Sequence, residues 1–163
     1  MPASLFFWVA TVFVMKISAP HSCFHLELRK SRIDRRGLFA METIPARYKV
    51  VEYAGEKIRM SEARRRFWKI FHRKGPKRMY LAKLSSRWVI DGAVGGSGAE
   101  LINHSCAPNL FVKRERGKIN FYSRRRICRN EELTADYQYA ANAVQVMCRC
   151  GAANCRGTIN VKK

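Results

Sequence analysis

Glu100-Leu-Ile-Asn-His-Ser-Cys-Ala-Pro-Asn109 and Glu131-Glu-Leu-Thr-Ala-Asp-Tyr137 are the two stretches on which the reading of this chain turns. The first is turn-rich, with Pro108, and places Cys106 inside the turn. Further along, Cys148-Arg-Cys150-Gly-Ala-Ala-Asn-Cys155 packs three cysteines into eight residues. Two cysteines one residue apart rarely pair with each other, but their side chains readily converge on a metal. Zinc takes four tetrahedral ligands, so three local thiolates leave one to find. Gly151 supplies the tight turn of such a knuckle. The fourth ligand is sought among Cys106, Cys128, Cys23 and the four histidines. The turn-rich setting favours Cys106, whereas Cys128 follows Ile127 at a strand end and reads as a buried thiol. Free buried cysteines and a secreted disulfide network are the competing readings.

Outward from these stretches, Phe24–Arg29 alternates apolar and polar residues, as a half-buried strand does. Tyr48–Gly55 is β-rich and stops at glycine, and Trp88–Ile90, Leu110–Val112 and Ile119–Tyr122 are short strand candidates. Ser61 is placed to cap a helix with Glu62 in its first turn. Ala63, Phe67, Ile70 and Phe71 would share one face of that helix, which should end near Lys74, before Gly75-Pro76. Many short strands and few helices argue for a mainly β domain, β-rich α+β, of irregular topology.

A length of 163 residues is one domain's worth, with room for a small appended module. The 47% apolar share excludes a wholly disordered chain, and the composition excludes a multi-span membrane protein. Charge is the unusual feature: 32 Lys and Arg against 12 Asp and Glu give a formal net charge of +20. Such a surface attracts nucleic acid, acidic proteins or anionic lipid. Residues 1–15 are set apart as an apolar extension, because the run Leu5–Met15 is short for a bilayer span of ~20 residues. It lacks the basic lead and the cleavage site of a signal peptide. A start at Met15, an anchor, a cleaved signal and a packed extension all stay open.

Four blocks, in order, resemble the SET-domain protein lysine methyltransferases. They are Arg36-Gly-Leu-Phe-Ala40, Glu52-Tyr-Ala-Gly-Glu56, Glu100–Asn109 and Glu131–Tyr137. The cysteine knuckle followed by Arg156-Gly157 looks like the family's post-SET module. The resemblance spans Phe24 to Asn160; a single block is weak, and the ordered set is specific. It implies a SET domain over 22–139, built of short curved sheets with a knot-like C-terminal threading, and a zinc module over 144–160. Two positions depart from the family pattern. Arg35 stands where the family turn commonly has its first glycine, and Ala135 where an aromatic often precedes the Asp-Tyr pair. Alanine leaves space there, which Tyr139 or another aromatic could refill.

The resemblance implies methyl transfer from S-adenosylmethionine to the ε-amine of a protein lysine. The substrate amine is the nucleophile, so the enzyme must present it neutral and aligned. A free lysine with pKa ~10.4 is neutral to less than ~0.1% at pH 7, and burial beside a sulfonium lowers that pKa. Tyr137 matches the active-site tyrosine. Asn103 and His104 match cofactor-binding positions that act largely through the backbone. Tyr80 is expected to pack on the cofactor; Asp34, Arg36 and Gly37 lie at the glycine turn; Arg149 would line the cleft. In the family the fourth thiolate comes from the Asn-His-Ser-Cys segment, so Cys106, Cys148, Cys150 and Cys155 would hold a structural zinc ion.

Family substrates are often lysines of basic tails, such as those of histones, which a +20 enzyme repels at long range. Two solutions are open. Glu52, Glu56, Glu100, Glu131 and Glu132 could form a local acidic patch along the peptide groove. Alternatively, Arg64–Arg66, Arg73-Lys74, Lys77-Arg78 and Arg124–Arg126 could hold the nucleic acid to which the substrate is bound. The expected state is an intracellular monomer off the membrane, with reduced, metal-bound cysteines. It would work at chromatin in a eukaryote or at the nucleoid in a bacterium. The rival readings are a catalytically silent SET-like module on chromatin or nucleic acid, and a basic zinc-knuckle nucleic-acid protein.

Overall fold

A computed structural model describes residues 15–17, 21–75 and 78–162. The strands are β1 (Met15–Ile17), β2 (Leu26–Lys30), β3 (Arg36–Ala40), β4 (Lys49–Glu52), β5 (Glu56–Arg59), β6 (Leu81–Lys83) and β7 (Trp88–Asp91). They continue with β8 (Asn103–His104), β9 (Leu110–Glu115), β10 (Lys118–Ser123) and β11 (Thr134–Ala135). One helix, α1 (Met60–His72), and a 3-10 turn at Ala99–Leu101 complete the regular structure among the described residues.

Four small sheets result: β1-β2-β3, β4-β10-β9, β5-β7-β6 and β11-β8. The first three are antiparallel. In β2, Leu26 and Leu28 turn inward and Glu27 and Arg29 outward, as the alternation predicts. The β9–β10 hairpin turns on Arg116 and Gly117, both at positive φ (50° and 74°), which matches the right-handed twist of the flanking strands. The core gathers Leu26, Leu38, Ile44, Val50, Leu110, Ile127 and Leu133 from all along the chain.

The parallel β8–β11 pair positions the site. Thr134 faces Asn103 and Ala135 faces His104, so two blocks some thirty residues apart become neighbours. Asn109 fixes this join from the side: its amide donates to the Glu132 carbonyl at 2.8 Å, and its Oδ1 accepts from the Thr134 N–H at 2.8 Å. The chain beyond Gln138 folds back, bridging Tyr139 to Asn160 and Met147 to Thr158. Buried Asn160 accepts from the Val146 N–H and donates to the Ala140 carbonyl.

Three local expectations are corrected. Ser61 does not cap α1; Arg59 occupies that position without a side-chain bond, and Ser61 lies inside the helix. Glu62 does sit in the first turn, where it binds Arg65 and Arg66. The helix ends at His72 rather than near Lys74, with the Arg73 N–H returning to the Ile70 carbonyl. Of the expected apolar face only Ala63 is buried, packed on Ile58 and Val89. Phe67 and Phe71 instead stack at the surface beside Trp68, which is 55% exposed. Cys128 is exposed; the buried member of its pair is Ile127, which bridges to Ile44. The apolar extension lies outside the described residues up to position 14. From Met15 the chain pairs with β2. No helix among the described residues is long and apolar enough to cross a membrane.

Candidate active site

Two cavities meet at Tyr137. The larger, of about 700 Å³, is lined by Tyr53, Glu100, Ile102, Ala135, Tyr137 and Tyr139, and also by Phe111 and the exposed Arg47 and Arg124. The smaller, of about 350 Å³, is lined by Ile33, Asp34, Asn103, His104, Tyr137, Val146, Met147, Cys148, Arg149 and Ile159. Tyr137 is the residue common to both. It is 40% exposed because its ring forms part of each wall. Its hydroxyl is turned inward and donates to the Ile102 carbonyl at 2.8 Å. Burial, with the nearby Tyr139 and Asp34, pushes that phenol far above its ordinary range, so it stays neutral. With its proton committed to Ile102, the hydroxyl oxygen keeps lone pairs free to accept from an amine.

Ala135 is 2% exposed and does leave room beside the larger cavity, and Tyr139 stacks on Tyr137 with ring centroids 5.9 Å apart. Asp34, Asn103, His104, Tyr137 and Arg149 therefore come together around the smaller cavity, as the sequence suggests. Tyr80 lines neither cavity. Its carbonyl instead accepts from the Tyr53 hydroxyl at 2.7 Å and the Gly92 N–H at 2.8 Å. Arg36 and Gly37 stand behind the wall. The Asn103 amide donates to the Arg36 carbonyl at 3.0 Å and to the Glu132 carboxylate at 2.7 Å. The Ser31 hydroxyl reaches the same carboxylate at 2.8 Å, so Glu132 ties the turn before β3 to β8. A Cβ on Gly37 would run into that carboxylate. Arg35 occupies its turn at φ 37°, a conformation that favours glycine.

The sequence reading misses Ile33, Val146, Met147 and Ile159 in the smaller cavity and Tyr53 in the larger. The apolar Val146-Met147 pair just before Cys148 is the signal that was available. Met147 is 81% exposed and takes no part in the core. The expected acidic patch is absent from the groove except for Glu100, which lines the larger cavity. Glu52 is bound to Lys118 at 2.9 Å, Glu56 to Arg66 at 2.7 Å and Glu131 to Arg125, while Glu132 lies under Gly37. Burial raises the Glu100 carboxyl.

Cys106, Cys148, Cys150 and Cys155 bring their sulfurs within 4.8 Å of one another. Cys106 lies 3.8 Å from Cys148 and 4.0 Å from Cys155. Metal–sulfur bonds of ~2.3 Å in a tetrahedron put sulfurs about 3.8 Å apart, so the four thiols form a set that can hold a metal ion. Main-chain N–H groups aim at the sulfurs, Arg156 at Cys106 (3.3 Å) and Cys106 at Cys150 (3.5 Å), as suits thiolates. Burial pushes the Cys148 thiol up to about 12. At Cys150 the N–H groups of Cys106 and Ala152 overcome burial and hold the thiol down to about 6. All four become thiolates together only when a cation compensates them.

His104 joins the cluster to Tyr137. Its ring Nδ1 accepts from the Tyr137 N–H at 3.2 Å, which leaves the proton on Nε2, 3.5 Å from the Cys106 sulfur. Burial lowers its pKa and favours this neutral form. Arg156 clasps Asp136 with two bonds of 2.8 and 2.9 Å, fastening the tail to the residue before Tyr137. Burial works to raise the Asp136 carboxyl, but Arg156 overrides it and holds it low. A depressed carboxyl contributes stability that is complete above its ordinary value of 3.8 and lost as pH falls through the folded value. Asp136→Asn should therefore cost about 3 kcal/mol at neutral pH, since it leaves Arg156 partly buried and unpaired. Urea midpoints measured against pH should converge for the two proteins in acid; curves that stay parallel contradict the clasp.

Residues 35–138 match the family model described as SET domain, and the chain belongs to that family. It is 40% identical over 139 residues to "Histone-lysine N-methyltransferase SETD1B" of Homo sapiens, covering 83% of this chain and 7% of that protein. It is 42% identical over 139 residues to "Histone-lysine N-methyltransferase, H3 lysine-4 specific" of Schizosaccharomyces pombe, covering 83% and 15%. The chain thus spans a small part of these curated relatives. Among solved structures, KRYPTONITE in complex with mCHG DNA and SAH superposes with a TM-score of 0.70 at 30% identity, covering 85% of this chain and 29% of that one. The methyltransferase domain of human SETMAR gives 0.72 at 26% identity, covering 85% and 58%.

Proposed function

We propose that this chain transfers a methyl group from S-adenosylmethionine to the ε-amine of a lysine in a protein substrate. The observation that carries the reading is Tyr137 standing in the wall of two cavities. The smaller is the cofactor's and the larger receives the lysine. SAH in the KRYPTONITE structure supports the choice of cofactor. Bound there, S-adenosylmethionine supplies an electrophilic methyl group. The chain's own residues do the rest. Asn103, held by Glu132, keeps the turn at Asp34 and Arg36 in place as one wall. Arg149 and Met147 close the opposite wall. Tyr53, Tyr137 and Tyr139 enclose the amine and exclude water, which favours its neutral form. The Tyr137 oxygen accepts an amine N–H and aims the nitrogen lone pair at the smaller cavity, and such alignment removes an entropic cost.

Cys106, Cys148, Cys150 and Cys155 would hold zinc in a structural role, since four thiolates leave no open position. The same proposal treats 22–139 as the SET domain and 144–160 as the post-SET module; Tyr80, which lines neither cavity, is left out of the cofactor wall. The relatives' names make histones, and with them other basic DNA-associated proteins, the first substrates to offer, with a nuclear monomer as the working form. Gly37→Ala tests the cofactor wall. Its methyl group would displace Glu132 and release Asn103. S-adenosylmethionine affinity by calorimetry should fall more than about tenfold, the loss of a charge-assisted hydrogen bond. Unchanged affinity would remove the smaller cavity as the cofactor site.

A further inference from the structure

The mouth of the larger cavity is cationic. Arg47, Lys83, Arg114 and Arg124 all line it and all are exposed. None of them has a carboxylate partner among the described residues, although Arg29, Arg65, Arg66, Arg125 and Arg156 elsewhere each have one. Two of the four are held in position. Arg114 donates its Nε to the Lys83 carbonyl at 2.7 Å, bridging β9 to β6. Arg124 donates its Nε to the Leu110 carbonyl at 3.1 Å and lies 5.8 Å from the Phe111 ring centroid. In both, the terminal guanidinium nitrogens keep no protein partner among the described residues, and that fork matches a carboxylate. Arg47 covers the same Phe111 ring at 5.9 Å from a left-handed backbone position, φ 68°.

The carboxylates of this cavity do not cancel that charge. Asp136 is committed to Arg156. Glu100 is half-buried beside Tyr53 and Gly92 and accepts the Gly98 N–H at 2.8 Å. The cavity thus has one acid with no cationic partner and four exposed cations with no carboxylate partner among the described residues. A ligand that fits carries a cation that enters the cavity and anions next to it that meet the exposed arginines.

From this we infer that the lysine accepted by this groove is flanked by acidic residues, whose carboxylates Arg47, Arg114 and Arg124 bind, whatever the net charge of the whole substrate. The inference rests on the proposed function and names the local sequence that function selects. It also accounts for how a +20 chain captures a lysine without an acidic groove.

Binding and turnover are measured separately on the full chain. Two fluorescent peptides share a central lysine, one flanked by Asp and Glu, the other by Arg and Lys. By anisotropy the acid-flanked peptide should bind about tenfold tighter, as two charge-assisted contacts imply, with the gap closing as salt rises. The double variant Arg114→Glu, Arg124→Glu should reverse the order, with its circular dichroism unchanged. Arg114→Gln, Arg124→Gln should abolish the preference without reversing it. Equal or tighter binding of the basic-flanked peptide overturns the inference. So does a random-sequence oligonucleotide that binds the same arginines more tightly than the acid-flanked peptide. Tight, arginine-dependent binding without methylation of the bound peptide would leave the groove assignment standing and count against the proposed reaction instead.

Discussion

Tyr137→Phe should lower methyl transfer by about 100-fold or more, while fold and cofactor affinity should stay near those of the parent. The ring is retained, so both cavity walls survive. The hydroxyl is lost, and with it the bond to the Ile102 carbonyl and the acceptor for the amine. A misplaced nucleophile alone costs on the order of 10²-fold. Burial pushes the Tyr137 phenol far above its ordinary range, so the parent rate carries no titration of this group near neutrality. Single-turnover rates on a lysine peptide, with calorimetry for the cofactor, separate the two effects. A variant that binds the cofactor and turns over at the parent rate removes Tyr137 from the chemistry.

The second large effect follows from the four thiols. Of the ten residues lining the smaller cavity, Val146, Met147, Cys148, Arg149 and Ile159 belong to the C-terminal tail. The tail has few buried apolar side chains of its own, with Ile159 the one in the core set. What fastens it is the Cys106 cluster, the Asp136–Arg156 clasp and the Asn160 bonds. Cys150→Ser, or removal of metal by a chelator, should release it. Turnover should then fall by about 100-fold or more, because half the lining of the smaller cavity, the proposed cofactor site, goes with the tail. Far-UV circular dichroism should barely change, since the core from Leu26 to Leu133 makes no use of these cysteines. Metal content and cofactor affinity should fall together. Full activity in metal-free protein would contradict the structural role of the cluster.

The parts of the site that were legible in the sequence are those fixed by local chemistry. Cys148, Cys150 and Cys155 announce a metal-type cluster by spacing, and the turn around Cys106 completes it. The two blocks that meet at β8 and β11 were legible as blocks, and so were Asn103, His104 and Tyr137. Arg35 kept its turn despite lacking glycine's freedom, because the Ser31 N–H closes the turn on the Arg35 carbonyl and Glu132, from outside it, holds the Ser31 hydroxyl. What escaped depends on distant partners. A glutamate in sequence is an acid without an address; Glu52, Glu56 and Glu131 found Lys118, Arg66 and Arg125 before any peptide could. Glu132 holds Asn103 and Ser31, a role visible only once β3, β8 and β11 lie together. Ser61 lost the cap because the helix began two residues earlier, at Met60, a shift of the kind that helix ends show.

The most direct measurement is methyl transfer followed by mapping of the methylated atom. The full chain, loaded with zinc, is given methyl-labelled S-adenosylmethionine with histones, small basic DNA-binding proteins and the acid-flanked lysine peptide. The Tyr137→Phe variant runs beside it. Label on a lysine ε-amine, absent in the variant, is the result this account predicts. A folded, zinc-loaded chain that binds S-adenosylmethionine yet labels no lysine in any of these would contradict it, and would leave a silent SET-domain module in its place.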